Sequence, residues 1–291
     1  VTDATAPAAA GPAPLPPGVY DQLPADEYHR QPALSSSGAR KLLPPSCPAI
    51  FRHEQLHGQP RKRVFELGHA AHALVLGCGP ELVEVDAKDW RTNAAKDAAA
   101  EARERGAVPL LPDEYAQIHA MAAALRAHPT AAALFNPERG RPETSLFWRD
   151  EESGVDRRAR LDWLPDPGTE RLVVPDYKTT TCAEPGELRT SAYKYGYHRQ
   201  APWYLDAVQA LELADATAAF VFVFQEKTAP YLVTVIELDV IALALGRELN
   251  RRAIDRYADC VRRDVWPGYS DEIELVPLPP WVERAYEMGD L

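Results

Sequence analysis

Apolar and polar positions follow two rhythms along this chain, helical toward both ends and alternating through the middle. From "ALSSSGARKLL" (33–43) the pattern is helical, with Ser35, Ser36 and Ser37 available as N-caps, and a second short helix is expected after Pro48. "VFELGHAAHALVLG" (64–77) sets Leu67, Ala71, Leu74 and Val75 at helical spacing, while Gly68, Ala70 and Ala71 permit close packing. A short strand around "LVEV", an Ala-rich helix within 93–105 and another over 112–127 follow, the two helices flanking "AVPLL". The rhythm then changes. "ETSLFWRDEESGVDRRARLDWL" (143–164) reads as two alternating strands joined by a polar turn, a β-hairpin, and the strand "RLVVPDYKT" follows a turn at Asp166, Pro167 and Gly168. Helices over 184–194 and 198–213, strands "AAFVFVFQ" and "YLVTVIEL", and a long helix over 239–263 complete the pattern. Strands in the middle with helices on both sides predict an α/β protein built on a mixed sheet, in two or three layers. Residues 1–20, rich in Ala and Pro, are expected to form a disordered tail, and 21–291 a single domain. The Pro-rich segment from Trp266 onward is expected to wrap the surface with Trp266 and Trp281 packed down.

A chain of 291 residues with 46% hydrophobic content can bury a sizeable core, which excludes disorder throughout. No apolar run approaches the roughly 20 residues that span a bilayer, and the N-terminus has no leader pattern, so a cytoplasmic, non-membrane protein is expected. Cys47, Cys78, Cys182 and Cys260 are too scattered for a zinc site or an iron-sulfur cluster and are expected to be reduced. The net charge of -11 argues against a protein that coats nucleic acid nonspecifically. Any such contact must be local, and clustered carboxylates neutralised by divalent cations would reconcile the two.

The stretch "VVPDYKTT" (173–180) carries the candidate chemistry. Period-two geometry places Asp176 and Lys178 on one face of the strand and Tyr177 on the other. A salt bridge at a strand end would explain that pair by itself. Asp162, however, precedes Asp176 by fourteen residues across a turn, so neighbouring strands can bring the two acids together. Two carboxylates at close range need a proton or a cation between them, and oxygen donors suit Mg²⁺, with Mn²⁺ as the alternative. Taken alone, Asp162 could simply pair with Arg157, Arg158 or Arg160. Pro175 inside the strand predicts a bulge or a bend. Arg61, Lys62 and Arg63 precede the helix of His72 and could meet phosphates or form an ordinary exposed helix start. Arg158 and Arg160 share the face of Asp162 and are the better phosphate candidates, whereas Arg157 points opposite. Arg247, Arg251, Arg252 and Arg256 are interleaved with Glu248 and Asp255, which favours a solvated face.

Asp162 with "DYK" at 176–178 resembles the PD-(D/E)XK nuclease superfamily, whose motif spaces an acid from Asp or Glu, any residue, and Lys. "GHAAH", containing His72, and "QAPWY" (200–204), with Gln200 and Tyr204 one helical turn apart, resemble its RecB-like and exonuclease VIII-like (RecE-like) branch. The similarity runs in order from about Leu34 through "RTNAAKD", "ETSLFWRD" and "YGYHRQAPWY" to "LPPWVERAYE"; Leu161 departs from the Pro common before the first Asp. The resemblance implies a restriction-endonuclease-like core with flanking helices. It implies that His72, rather than His69, ligates a cation with Asp162, Asp176 and the Tyr177 carbonyl. Lys178 would orient the attacking water, and Gln200 with Tyr204 would hold Lys178 or the phosphate. Glu143 stays open between a second metal ligand and surface charge. The implied activity is that of a Mg²⁺-dependent exodeoxyribonuclease digesting linear double-stranded DNA from its ends in phage or prophage recombination. A ring-like homo-oligomer, such as a tetramer, and a single-strand annealing recombinase as partner are implied with it. The alternative is a DNA-binding module in which the site has decayed, against which the complete residue set argues. Iron-sulfur nucleases of similar fold require clustered cysteines, which this spacing does not supply.

Overall fold

In the computed structural model, which describes residues 13–58, 64–168 and 171–290, short elements precede a long central hairpin. β1 (Gly18–Tyr20) and α1 (Ala25–Arg30) lead to β2 (Leu34–Ser35), and Ser35 caps α2 (Ser36–Lys41) by accepting the Gly38 N–H at 3.2 Å. Proline opens α3 (Pro48–His57), where its missing N–H costs nothing, and α4 (Val64–Leu76) carries the Ala-rich packing face. β3 (Leu82–Glu84), α5 (Asn93–Glu104), β4 (Val108–Leu110), α6 (Pro112–Ala127) and α7 (Pro129–Leu134) follow. The hairpin is β5 (Gly140–Arg149) and β6 (Asp156–Pro165), and β7 (Val173–Thr180) is the expected motif strand. α8 (Pro185–Lys194), α9 (Tyr197–Ala210), β8 (Ala219–Glu226), β9 (Val233–Glu237), α10 (Val240–Arg263) and α11 (Pro280–Met288) complete the chain.

Two sheets meet edge to edge. One has the order β1-β5-β6-β2 and the other β7-β8-β9, each mixing parallel and antiparallel pairs, while β3 and β4 form a separate parallel pair. β6 runs beside β7, and the Tyr177 N–H donates to Asp162 Oδ2 at 2.7 Å across that junction. The bond explains how Pro175 is accommodated. Side chains and backbone groups repeat every two residues, so the nitrogen of Pro175 points to the same open edge as that of Tyr177, away from β8. The β7–β8 register is accordingly unbroken from Val173↔Ala219 to Thr180↔Glu226, and the expected bulge does not occur.

β8 is covered on both faces. Phe220, Phe222 and Phe224 join Trp203 and Ala201 in one core, whereas Val223 joins Tyr177 with Ala70, Ile118 and Met121 of α4 and α6 in another. Asp176 and Lys178 therefore face α9, and Tyr177 faces α4 and α6. The position of α9 is fixed by α10. Pro202 inside α9 has no N–H to offer the His198 carbonyl, and Gly246 of α10 packs directly over that oxygen; a Cβ there would fall 1.7 Å from it. Asn250 Nδ2 donates to the next carbonyl, that of Arg199, at 2.8 Å.

Two expectations at the ends of the chain differ from the structure. Gly18–Tyr20 pair with Phe147, Leu146 and Ser145 of β5, so the tail gives way to a strand before residue 20; residues 1–12 lie outside the described set. Trp266 does pack down, 5.8 Å from the Phe51 ring with the Arg52 guanidinium over it. Trp281 does not, being 68% exposed on α11, because the residues around it, Ile273 to Leu278, find no apolar surface to cover. β4 and α7 were not legible as elements, both being short, with Pro109 inside β4 and Pro129 opening α7.

Candidate active site

The β6–β7 junction forms the floor of a cleft of about 1230 Å³, walled by α2, α4, α9 and the segment between β1 and α1. His72 comes from α4, Glu143 from β5 and Asp162 from β6, and one ligating atom of each lies within 4.8 Å of the others. His72 Nε2 is 3.0 Å from Asp162 Oδ2, and its Nδ1 is 3.4 Å from Glu143 Oε1. Glu143 reaches this point through an unusual backbone. Its φ of 52° lies in the left-handed region, costly for a residue with a Cβ, and in the hairpin register it falls opposite Asp162 between the pairs Pro142↔Trp163 and Thr144↔Leu161. Arg160 Nε holds its other oxygen.

Asp176 stands one strand further in, 1% exposed, with Lys178 Nζ paired to Oδ2 and Gln200 Nε2 donating to Oδ1 at 2.7 Å. Gln200 thus reaches Asp176 rather than Lys178. The aromatic neighbour of Lys178 is Tyr197, 5.7 Å from the ring centre, while Tyr204 lines the cleft with its ring edge to Phe220 at 5.3 Å. Tyr177 anchors the strand from behind, its hydroxyl donating to Gln225 Oε1 at 2.7 Å. In a strand the N–H and C=O of one residue point to the same edge, so the Tyr177 carbonyl also faces β6.

The charges respond to one another. Burial disfavours the imidazolium of His72, but the charge and hydrogen bond of Asp162, with Glu143 beyond, outweigh it and raise its pKa to about 9. Burial pushes Asp176 up to about 6, helped by the Asp162 charge and opposed by Lys178. For Asp162 burial works upward, yet His72 and Lys178 hold its carboxyl below the usual range. Partial burial works against the charge of Lys178, but Asp176 and Asp162 outweigh it and keep the lysine firmly protonated. An imidazole between two carboxylates, with a third acid behind, is a donor set that suits a divalent cation of the Mg²⁺ or Mn²⁺ type. His72, Glu143 and Asp162 are the residues that could hold it, with Asp176 and the Tyr177 carbonyl beside them.

The basic candidates are distributed differently from expectation. Arg158 lines the cleft, but its guanidinium is spent on backbone carbonyls, including that of Gln31 at 2.6 Å, and stacks over Tyr28 at 4.8 Å. Arg160 is taken by Glu143 and the Leu23 carbonyl at 3.0 Å. Arg160 therefore braces the segment before α1, and Arg158 braces α1 itself and the Gln31 that follows it, as the cleft wall. Arg157 points the other way, between the rings of Trp148 and Trp203 at 4.7 and 4.0 Å. Arg61, Lys62 and Arg63, and the side chain of His69, lie outside the described residues. Sequence reasoning missed Arg40, Arg199 and Tyr197, all lining the cleft. Arg199 directly precedes Gln200, the one signal that could have drawn attention to it.

Residues 35–279 match the family described as a PDDEXK-like domain of unknown function (DUF3799). The chain belongs to that PDDEXK-like family. A candidate exonuclease from Eubacterium rectale shares the fold, with a TM-score of 0.60 at 12% identity, covering 91% of this chain and 98% of its own. An alkaline exonuclease from Laribacter hongkongensis aligns over 69% of this chain and 95% of its own at 15% identity, with a TM-score of 0.26. No curated protein matches this chain. Among the described residues, no helix of this PDDEXK-like chain is long and apolar enough to cross a membrane.

Proposed function

We propose that this protein is a divalent-metal-dependent exodeoxyribonuclease that hydrolyses linear double-stranded DNA from its ends. One observation carries the reading: His72, Glu143 and Asp162 converge beside the Asp176–Lys178 pair on the floor of a cleft. Bound there, Mg²⁺ or Mn²⁺ supplies Lewis acidity toward a phosphoryl oxygen and lowers the pKa of water. The chain's own residues do the rest. His72, Glu143 and Asp162 hold the cation, with Asp176 and the Tyr177 carbonyl as further donors. Lys178 presents a permanent positive charge to the cleft, where it donates to the phosphate and orients the attacking water. Gln200 fixes the Asp176 carboxylate that aims the lysine, and Tyr204 shapes the wall beside it.

Charge placement supports DNA as the substrate. The chain carries -11 overall, yet Arg40 and Arg199, neither paired with a described carboxylate, line this one cleft together with Lys178. Contact with a polyanion is thereby confined to the site of chemistry, and the outer surface repels it. The wider setting we propose rests on the resemblance alone: phage or prophage recombination, a ring-like homo-oligomer around the duplex, and a single-strand annealing partner. The test is digestion of a linear duplex and a covalently closed circle of the same sequence, with Mg²⁺ and with a chelator. Loss of the linear form alone, and only with metal, is expected; equal loss of both forms would mean an endonuclease.

A further inference from the structure

Two arginines in the cleft wall have no acid to answer them. Arg199, on α9, is 6% exposed; among the described residues its one acceptor is the Ala39 carbonyl at a long 3.4 Å, and its Nε has no partner. Arg40, on α2, is exposed and donates through one terminal nitrogen to the Tyr195 carbonyl. Neither forms an ion pair with any described carboxylate, whereas of the other arginines lining the cleft Arg141 pairs with Asp21, Arg160 pairs with Glu143, and Arg158 is taken by backbone carbonyls. Buried guanidinium groups are ordinarily paired, because an unpaired buried charge is expensive. Here the environment is worse than neutral. Burial, then the charges of Arg40 and Arg252, push the Arg199 pKa down to about 10.

The backbone is arranged to hold the two groups together. Gly196 precedes α9 with φ at 75°, and a Cβ there would fall 2.7 Å from Arg40 Cδ, so the glycine opens the space that Arg40 occupies. Asn250 and Gly246 of α10 clamp the α9 backbone at Arg199 and His198. Both arginines line the same cleft as His72, Asp162 and Lys178.

We propose that Arg40 and Arg199 form a phosphate-binding subsite that anchors the DNA strand beside the catalytic centre; the proposal rests on the nuclease reading above. The missing counter-charge is a phosphate of the substrate, either a terminal monoester or an internal diester. Planar guanidinium donors suit both, and a phosphate between them would satisfy the free Nε and relieve the repulsion between the two cations.

Binding without turnover tests this. Fluorescence anisotropy with Ca²⁺ in place of Mg²⁺ would compare the parent, Arg40→Ala and Arg199→Gln on one duplex carrying 5′-phosphate or 5′-hydroxyl ends, over a range of salt. Each variant should bind about 10- to 100-fold more weakly, the range for losing a hydrogen bond to a charged group. The slope of log affinity against log salt should become shallower by about 0.9, the contribution of one neutralised phosphate. A loss confined to the phosphorylated duplex identifies the terminal monoester, and equal losses on both identify an internal diester. Unchanged affinity and slope in Arg40→Ala, which is exposed and need not perturb folding, would overturn the subsite even if Arg199→Gln unfolds. Absence of binding by the parent itself would overturn the nuclease reading together with it, whereas parental binding undiminished in the variants overturns the subsite alone.

Discussion

Replacing Lys178 by Met separates the structural and chemical roles of the Asp176–Lys178 pair. The Asp176 side chain is 2% exposed and that of Lys178 23%, so the substitution leaves a buried carboxylate with Gln200 as its hydrogen-bond donor and the Asp162 charge nearby. Removing one partner of a buried pair costs about 3–5 kcal/mol, and the partial opening of Lys178 to the cleft places this case at the lower end, about 3 kcal/mol. Asp176→Asn added to Lys178→Met removes the stranded charge, so the double variant should recover roughly 2 kcal/mol of that loss, a coupling typical of contacting residues. Urea unfolding with a chelator present measures these differences without a bound cation. Digestion of linear duplex with Mg²⁺, under conditions where every variant is folded, measures the second role. Both variants should cleave at least about 100-fold more slowly than the parent, the scale of losing a positioned acid-base or electrostatic group. A single variant as stable as the parent, or more stable than the double, would refute the buried-pair argument. Near-parental cleavage by Lys178→Met would remove the lysine from the chemistry.

Further outcomes follow from other parts of the structure. Glu143→Ala and Asp162→Ala should each weaken Mn²⁺ binding by at least about tenfold in calorimetry, and equal affinity in either would remove that residue from the metal site. Glu143→Gly should be more stable than Glu143→Ala by about 1 kcal/mol in urea, because glycine accepts the φ of 52° that alanine resists; the reverse order would show that this backbone is not strained. Gly246→Ala should cost at least about 2 kcal/mol, since its Cβ meets the His198 carbonyl and must part α10 from α9; a thermal melt equal to the parent's would contradict that packing.

Much of this arrangement was legible in the sequence because it depends on local period. Alternation put Asp176 and Lys178 on one face and Tyr177 on the other, and it correctly sent Arg157 away from Arg158 and Arg160. The mixed α/β sheet followed from the same pattern, with the motif strand and hairpin where alternation placed them. What failed depends on long-range contacts. The tolerance of Pro175 rests on which edge its nitrogen faces, and that is set by the docking of β6 against β7. Arg158 and Arg160 were read as phosphate contacts because nothing local shows that Leu23 before α1 and Gln31 after it, more than a hundred residues earlier, offer their carbonyls to them. Glu143 could not be resolved from sequence because its left-handed φ has no residue-type signature. The exposure of Trp281 is likewise a matter of what surface remains for it to meet.

If the His72–Glu143–Asp162 centre cleaves DNA with a divalent cation, end-labelled linear duplex reports that chemistry at the ends themselves. Release of labelled nucleotide by the parent and by Asp162→Asn would be followed with Mg²⁺ and with excess chelator. Release by the parent with Mg²⁺, and none in the other three reactions, is expected. Release by Asp162→Asn at the parental rate, or by the parent in chelator, would contradict it.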